Sequence, residues 1–270
     1  MTKVETVLGS MNGMNGLSRG NTFIRHLDPR AMLITAMAFI VVVTSFGKYD
    51  ILGLLPLVIY PVSLMALGNF SFRSIGKKLV YVSPFAIVIG IFNPLFDNQI
   101  LVQIGDVGIS GGWVSFGAIM IKFVLTVSVA LILVALSGFE EICHALVKLK
   151  VPKVFVSQLL FMHRYIYVMA DEASRMVRAH TLRSFKRRGM KISVFCSIIS
   201  QLLLRTLDRA HRIHTAMVSR GFAGEIPVMH GLKAAPGDVA FVLLWSAFFV
   251  LARLYNLPQW LGFFVMEGLT

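Results

Sequence analysis

The chain has 270 residues, of which 56% are hydrophobic and only 14% charged, and its mean hydropathy is +0.76. Soluble domains carry about 25% charged residues, so this composition excludes an ordinary soluble domain and indicates an integral membrane protein. The formal net charge of +13 does not by itself point to nucleic acid, because membrane proteins concentrate Lys and Arg in their cytoplasmic loops.

Five apolar stretches are predicted to cross a bilayer, which takes roughly 20 residues. They are Ala31–Phe46, Ile51–Leu67, Leu79–Phe96, Trp113–Ser137 and Val239–Tyr255. The first is short and is expected to extend back towards Asp28. Lys122 falls near the start of the fourth span, where it can reach the membrane interface. Buried acids or broken helices at the membrane midplane, which ion-coupled secondary transporters usually need, are not evident from the sequence.

Loop charges predict the orientation of these spans. The connection Asp97–Gly112 has two acidic residues and no Lys or Arg, whereas Gly138–Gly237 holds 16 of the 26 basic residues. Cationic loops stay inside, so the N-terminus and the long basic segment are predicted to be cytoplasmic. The predicted organisation is residues 1–137 with four transmembrane helices, 138–237 as a cytoplasmic domain, and 238–270 with a C-terminal transmembrane helix.

Helical periodicity continues through the basic segment. A short helix is predicted from Phe139 to Lys150, ending near Pro152, and two longer helices follow it. Ser193–Leu204 is apolar for only 12 residues, about 18 Å of helix, and is therefore predicted to be the buried start of the last of these helices rather than a span. Their predicted apolar stripes are Phe155, Leu159, Met162, Ile166, Met169, Ala173 and Val177 in the first, and Leu203, Leu207, Ala210, His214 and Met217 in the second. The fold class is thus an all-α integral membrane protein with about five transmembrane helices and two long arginine-ended helices in a cytoplasmic domain.

These two long helices repeat a sequence. Asp171–Phe185 realigns with Asp208–Phe222 at an offset of 37 residues, with identical Asp, Ala, Arg, Ala, Arg and Phe at six positions. The last arginines of the two copies are Arg183 and Arg220. Two near-copies of a basic helix predict a part of the protein that engages two equivalent partners.

Two interpretations of Arg183 and Arg220 stay open at this point. A basic residue near a helix C-terminus complements the helix dipole. A planar guanidinium with five donors also suits a partner groove lined by carboxylates or carbonyls, and the shared register of the two copies favours this docking. Four further arginines could contact a partner or anionic lipid headgroups: Arg164, Arg178, Arg205 and Arg209.

Metal binding and catalysis find little support in the sequence. His211 and His214 are three residues apart but lack a third ligand nearby, so no metal site is predicted. The sequence contains no GxxxxGK[ST], HExxH or GxSxG motif, and we expect neither catalysis by this chain alone nor a cofactor. Cys143 and Cys196 are predicted to be buried small hydrophobic residues.

Over almost its whole length the chain resembles the transmembrane T component of energy-coupling factor (ECF) transporters, within the CbiQ-like cobalt/nickel branch. The resemblance is carried by the entry to the first span, Arg25–Arg30, by Phe139–Glu141 through Val151–Pro152, and by Met162–Tyr165. The two Ala-Arg-Gly motifs of the family fall on Leu182–Ser184 and Ser219–Gly221, and the arginine is retained in both.

This resemblance implies a non-catalytic scaffold in a bacterial or archaeal cell membrane. Its implied partners are two cytoplasmic ABC ATPases, a metal-specific membrane S component and the lipid bilayer, without nucleic acid. It assigns ATPase docking to Arg183, Ser184, Arg220 and Gly221, and support of the coupling helices to Arg175, Arg212, Ala173 and Ala210. The implied cargo is cobalt, with nickel second. The alternative is a stand-alone secondary transporter or a scaffold that binds anionic lipid.

Overall fold

The structure, a computed structural model, describes residues 27–68, 72–96, 100–104, 107–184, 191–222, 224 and 236–254. The described elements, in chain order, are α1 (Pro29–Ser45), α2 (Ile51–Leu54), a 3-10 turn (Pro56–Val58), α3 (Ile59–Gly68), α4 (Phe72–Phe96), β1 (Ile100–Ile104), β2 (Val107–Ser110), α5 (Gly111–Ser137), α6 (Phe139–Lys148), α7 (Lys153–Arg183), α8 (Ile192–Val218) and α9 (Pro236–Leu254). The predicted helical membrane fold is confirmed, with one short antiparallel hairpin, β1–β2, between α4 and α5.

The chain divides into two compact units. The membrane unit comprises Gly20–Gly138 and Leu232–Thr270, and the basic unit comprises Met1–Arg19 and Phe139–Gly231. In the described residues, four helical stretches are long and apolar enough to cross a membrane: Ile51–Gly68, Phe72–Pro94, Gly111–Ser137 and Pro236–Leu254. The helix α1 is apolar but shorter, with 17 residues. Fewer than half of the residues in each stretch are buried, as expected for helices whose apolar side chains face lipid.

The second span contains a short 3-10 turn near its start, within the continuous helical stretch Ile51–Gly68. Helix α2 ends at Leu54, a 3-10 turn begins at Pro56, and α3 starts at Ile59. Proline has no N–H to donate and its ring crowds the preceding turn, which favours a local change of hydrogen bonding at Pro56. Sequence hydropathy misses this turn because it registers apolarity and not hydrogen bonding.

Two buried carboxylates, Asp28 and Asp238, lie at the start of the first and last spans rather than at their middle. Asp28 is the N-cap of α1, as the predicted extension requires, and its Oδ1 accepts a hydrogen bond from the Arg30 N–H at 3.0 Å. The Asp28 N–H donates in turn to Asp238 Oδ1 at 3.0 Å. Asp238 is in the first turn of α9, so this bond ties together elements 210 residues apart.

The other end of α1 is capped by cations from two distant helices. Lys122 Nζ of α5 donates to the carbonyls of Phe46 at 2.6 Å and Gly47 at 3.2 Å. Arg253 of α9 donates to the Ser45 carbonyl at 3.1 Å and lies over the Phe46 ring. Helix α1 has no basic residue in its last turn, so its unpaired carbonyls are satisfied through tertiary contacts.

Aromatic side chains form the centre of the membrane unit. The Tyr60 ring lies 4.9 Å from Phe39, 4.8 Å from Trp245 and 5.1 Å from Phe249, measured between ring centroids. These edge-to-face and tilted contacts bring α1, α3 and α9 together. The Tyr60 hydroxyl donates to Thr35 Oγ1 at 3.1 Å, so this buried hydroxyl is satisfied.

The basic unit begins with α6, which packs against α7. The Phe139 ring stacks on His163 at 4.5 Å, and Cys143 and Ala145 are buried. The predicted helix is confirmed, and it ends at Lys148, followed by Lys150 with a positive φ of 66°. The chain then passes Pro152 into α7, which is the position that proline favours next to a helix start.

Candidate functional site: the α7–α8 helix pair

The helices α7 and α8 lie antiparallel and pack through equivalent positions of the repeat. Ser157 at the start of α7 is buried, and the other side chains on the packing face of α7 are partly exposed. The half-buried residues of α8 recur at steps of three and four and define its packing face. They are Val194, Ile198, Leu202, Thr206, Arg209, Ile213 and Met217. Subtracting 37 gives Ser157, Phe161, Tyr165, Met169, Glu172, Met176 and His180, which are buried or half-buried on α7. The two helices therefore face each other with residues at equivalent positions, 37 residues apart, as expected for a pair related by an internal twofold axis.

An ion cluster joins the middle of the two helices. Glu172 Oε2 accepts a hydrogen bond from Arg209 at 2.9 Å, and Glu172 Oε1 accepts one from Arg205 at 3.2 Å. The Glu172 side chain is only 12% exposed. The sequence leaves Arg205 and Arg209 open to a partner contact or a lipid contact. Within the described residues both pair with Glu172, and the Arg205 side chain is still 58% exposed.

Glu172 was missed by the sequence reasoning, although a signal for it existed. Glu172 and Arg209 are 37 residues apart, so they occupy the same position in the two copies of the repeat. One copy carries a negative charge at this position and the other carries a positive charge. The contact between the two positions explains this difference, because the two charges attract each other. Two self-equivalent residues in contact lie on the local symmetry axis of the helix pair.

The two arginines that end the copies are exposed but have different local structures. Arg183 is the last residue of α7, and the Ser184 N–H closes the helix by donating to the His180 carbonyl at 3.0 Å. Arg220 lies two residues beyond the end of α8, in a turn where Gly221 has a φ of 82°. The Phe222 N–H donates back to the Met217 carbonyl at 3.0 Å, a helix-terminating bond that the left-handed glycine permits.

Of the proposed supporting positions, Arg175, Arg212 and Ala210 are exposed, whereas Ala173 is half-buried. Arg175, Arg212 and Ala210 are exposed because none of them lies on the packing face of its helix. Ser184 and Gly221 are exposed as well. The predicted docking residues therefore lie at opposite ends of the antiparallel pair, accessible from outside the chain.

The predicted apolar stripes lie largely outside the contact between α7 and α8. Leu203 and Leu207 are 58% and 50% exposed, and of that stripe only Met217 lies on the packing face of α8. Met162 and Ile166 of the first stripe are also exposed. Periodicity by itself cannot tell which side of α8 meets α7, because α8 is apolar on two sides. The prediction that Ser193–Leu204 starts a helix is confirmed, but this start is mostly exposed rather than buried.

The prediction for the second cysteine is wrong. Cys143 is buried in α6, as expected, whereas Cys196 is exposed on α8. Cys196 lies beside exposed Phe195 on the side of α8 away from the packing face, where an apolar neighbourhood in the sequence does not mean burial.

Two cavities open between α7 and α8, and Arg209 borders both. The apolar cavity, about 570 Å³, lies between the start of α7 and the end of α8, lined by residues that include Phe161, Met169, Ile213 and Met217. The basic cavity, about 710 Å³, lies between the end of α7 and the start of α8, and includes Arg175, His180, Arg183 and Arg205. The ion cluster at Glu172 therefore separates an apolar from a cationic opening.

No group of three or more His, Cys, Asp or Glu side chains within the described residues is arranged to hold a metal ion. His211 and His214 lie on exposed positions of α8, and His214 borders the apolar cavity. The helix pair has exposed arginines and two open cavities, and these are features of a binding surface.

Fold and site together define a multi-pass helical membrane protein with an antiparallel pair of long basic helices. The family of cobalt transport proteins called CbiQ matches residues 20–230. The chain belongs to this family, and the T-component resemblance of the CbiQ type is confirmed.

Three relatives illustrate the similarity. The chain is 27% identical over 225 residues to the energy-coupling factor transporter transmembrane protein EcfT of Lactococcus lactis, covering 76% of this chain and 82% of that protein. The EcfT of Bacillus subtilis is 26% identical over 222 residues, with the same two shares. The cobalt transport protein CbiQ of Rhodobacter capsulatus is 29% identical over 107 residues, covering 38% of this chain and 43% of that protein.

Proposed function

We propose that the chain is the scaffold and energy-coupling subunit of an ATP-driven ECF-type importer. The supporting observation is the geometry of the helix pair around Glu172 and Arg209. Arg183 comes eleven residues after Glu172, and Arg220 comes eleven residues after Arg209. At about 1.5 Å per residue, each arginine is roughly 16 Å from the contact, in opposite directions along the antiparallel pair. Such a pair offers one arginine to each of two equivalent partners.

Two cytoplasmic ABC ATPases are the proposed partners at these arginines. Each would receive one helix end, with Arg183 and Ser184 entering one ATPase and Arg220 and Gly221 entering the other. A guanidinium can donate several hydrogen bonds to carboxylates or carbonyls in a groove, and both arginines are exposed to do so. ATP hydrolysis belongs to the ATPases, and the chain itself is not an enzyme.

The coupling step is a movement of α7 and α8. When ATP draws the two ATPases together, the two arginine-ended arms are displaced, and the ion cluster at Glu172 keeps the helices joined at their middle. Arg175, Arg212, Ala173 and Ala210 support the helices in this motion. Apolar side chains that α7 and α8 leave exposed, such as Met162 and Leu203, would pass the motion to the membrane S component.

The proposed cargo is cobalt, with nickel as the second candidate, and the S component captures it. The name of the Rhodobacter relative and the description of the family both refer to cobalt transport. The N-terminus and the basic unit are proposed to lie in the cytoplasm of a bacterial or archaeal cell, because Gly138–Gly237 holds most of the positive charge.

Co-expression with the ATPases and the S component tests this function. Arg183→Glu or Arg220→Glu should each reduce both ATPase retention in mild detergent and cobalt uptake, and the double variant should lose far more than either. Arg73→Glu, an exposed arginine on α4 outside the basic unit, is the matched charge-reversal control and should retain the ATPases. A double variant that keeps its ATPases and transports metal normally would contradict the proposal. A solitary protein with salt-sensitive liposome binding would favour the lipid-scaffold alternative.

A further inference from the structure

One side of α4 begins with two cations and continues as an exposed apolar stripe. Arg73 and Lys77 are both exposed and lie four residues apart, so they occupy the same side of the helix. Further exposed residues continue this side at steps of three and four, and all of them are apolar or aromatic. These residues, the α4 stripe, are Tyr81, Pro84, Val88 and Phe92. Cations and stripe thus share one side of a helix that is long and apolar enough to cross a membrane.

The charge of the two cations is not balanced by the described part of the chain. Helix α4 contains no Asp or Glu. Within the described residues, the side chains of Arg73 and Lys77 make no hydrogen bond or ion pair. Cations at the end of a membrane span lie at the level of the lipid headgroups, where phosphate is the abundant anion. An arginine fork matches phosphate oxygens, and a lysine adds a point charge beside it.

The side chains of this surface favour lipid over a second protein helix. Helices that pack together in membranes use small residues at the contact, because these let the backbones approach closely. The small residues of α4 face α5: Ala86 is buried, and a Cβ built at Gly90 would lie 2.8 Å from the Phe116 ring. By contrast, every exposed residue between positions 80 and 92 is Val, Ile, Phe, Tyr or Pro. The exposed surface therefore lacks the feature that a closely packed helix needs.

The length of the stripe matches an acyl chain in one leaflet. Tyr81 and Phe92 are eleven residues apart, which is about 17 Å of helix at 1.5 Å per residue. The hydrocarbon core of a bilayer is about 30 Å thick, so one leaflet contributes about 15 Å. Tyr81 lies one turn beyond Lys77 and is 86% exposed, and tyrosine rings prefer the membrane–water interface. Regions that suit a headgroup, the interface and an acyl chain therefore follow one another along the helix.

We propose that this side of α4 binds an anionic phospholipid, with its phosphate held by Arg73 and Lys77 and one acyl chain along the α4 stripe. A zwitterionic phospholipid also covers the stripe, but its own cation offsets its phosphate. The two protein cations therefore select an anionic headgroup. The site lies on the membrane unit and uses no residue of the α7–α8 pair, so it goes beyond the coupling role.

The test uses the full-length chain in mild detergent, with phosphatidylglycerol and phosphatidylcholine as probes. Native mass spectrometry should show that phosphatidylglycerol is bound in preference to phosphatidylcholine. In a lipid titration, Lys77→Gln should lower the phosphatidylglycerol affinity about fivefold, and Arg73→Gln in addition should lower it further. The matched control is Lys78→Gln, which removes the same charge at nearly the same depth. Because Lys78 is half-buried and about 100° further round the helix, this change should lower the affinity less than about twofold.

Three results would overturn the lipid site. Equal losses of affinity in Lys77→Gln and Lys78→Gln would mean that the lipid is attracted only by diffuse positive charge. Displacement of phosphatidylglycerol by an equal concentration of inorganic phosphate would make the ligand a free anion. Loss of S-component or ATPase retention in the Arg73→Gln/Lys77→Gln variant, with unchanged phosphatidylglycerol binding, would assign this side of α4 to a protein partner. The coupling function rests on Arg183 and Arg220 and is tested separately from this site.

Discussion

Glu172 and Arg209 occupy the same position in the two copies of the repeat and bind each other at 2.9 Å. A residue that contacts its own repeat equivalent lies on the local twofold axis, so this ion pair marks the middle of the α7–α8 pair. The two arginine-ended arms extend from it by equal numbers of residues. The equal arms are therefore a consequence of the duplication together with the antiparallel packing.

The first prediction concerns this ion pair. Glu172→Gln and Arg209→Gln should each destabilise the helix pair, and a double-mutant cycle should give a coupling energy of about 1 kcal/mol. The value is modest because the arginines are partly exposed and screened by solvent, although Glu172 itself is largely buried. Denaturant unfolding of the purified chain in detergent measures it, with exposed Asp171→Asn as the neighbouring control.

An exchange variant tests the symmetry directly. Each single reversal, Glu172→Arg or Arg209→Glu, places like charges in contact and should lower stability. In an Arg205→Gln background, which removes the second arginine on Glu172, the combined exchange should regain most of the loss, because two residues on a twofold axis can trade places. If the exchange were as unstable as the single reversals, the axis would not pass through this pair.

The turn after α8 gives a prediction about Arg220. Gly221→Ala should destabilise this turn by about 1 kcal/mol and shift Arg220, because an L side chain disfavours a φ of 82°. The new methyl group would meet no atom within 4 Å, so the effect comes from the backbone alone. ATPase retention should fall in Gly221→Ala and be preserved in Gly76→Ala, a substitution on α4 with equally open space and no positive φ. Normal retention in Gly221→Ala would show that the geometry of the turn is dispensable.

Lys122 gives a prediction about the membrane unit. Lys122→Met should lower stability by about 1–3 kcal/mol, because the carbonyls of Phe46 and Gly47 lose a charged donor at the end of α1. Thermal unfolding in detergent should show a lower midpoint for this variant and little change for exposed Lys77→Met. An unchanged midpoint would mean that Arg253 alone is enough to cap α1.

The two cysteines give a prediction about reactivity. Burial first, and the neighbouring Glu140 charge second, raise the pKa of Cys143 to about 11. Only the thiolate is nucleophilic, so Cys143 should stay protonated and unlabelled by maleimide at pH 8, whereas exposed Cys196 should react. Peptide mass mapping distinguishes them, and Cys196→Ser should abolish labelling. Rapid labelling of Cys143 in the native protein would contradict its burial.

Much of the fold can be predicted from the sequence, because hydropathy and periodicity are local properties of a helix. The stretches Gly111–Ser137 and Pro236–Leu254 were visible as apolar runs, and α6 was visible between its acidic first turn and Pro152. The 3-10 turn at Pro56 does not show in the hydropathy, because the surrounding residues are uniformly apolar.

The sequence by itself determined the class of protein, the positions of the apolar stretches and the 37-residue repeat that ends each copy on an arginine. Only the tertiary structure decided which side of α8 meets α7, which partners Glu172 and Lys122 take, and where the positive charge gathers. These outcomes depend on residues that are far apart in the chain. Glu172 and Lys122 bind partners that are 33 to 76 residues away in the sequence. Periodicity shows that a helix has apolar and charged sides, but packing against a second helix determines which side is covered and which charges are neutralised.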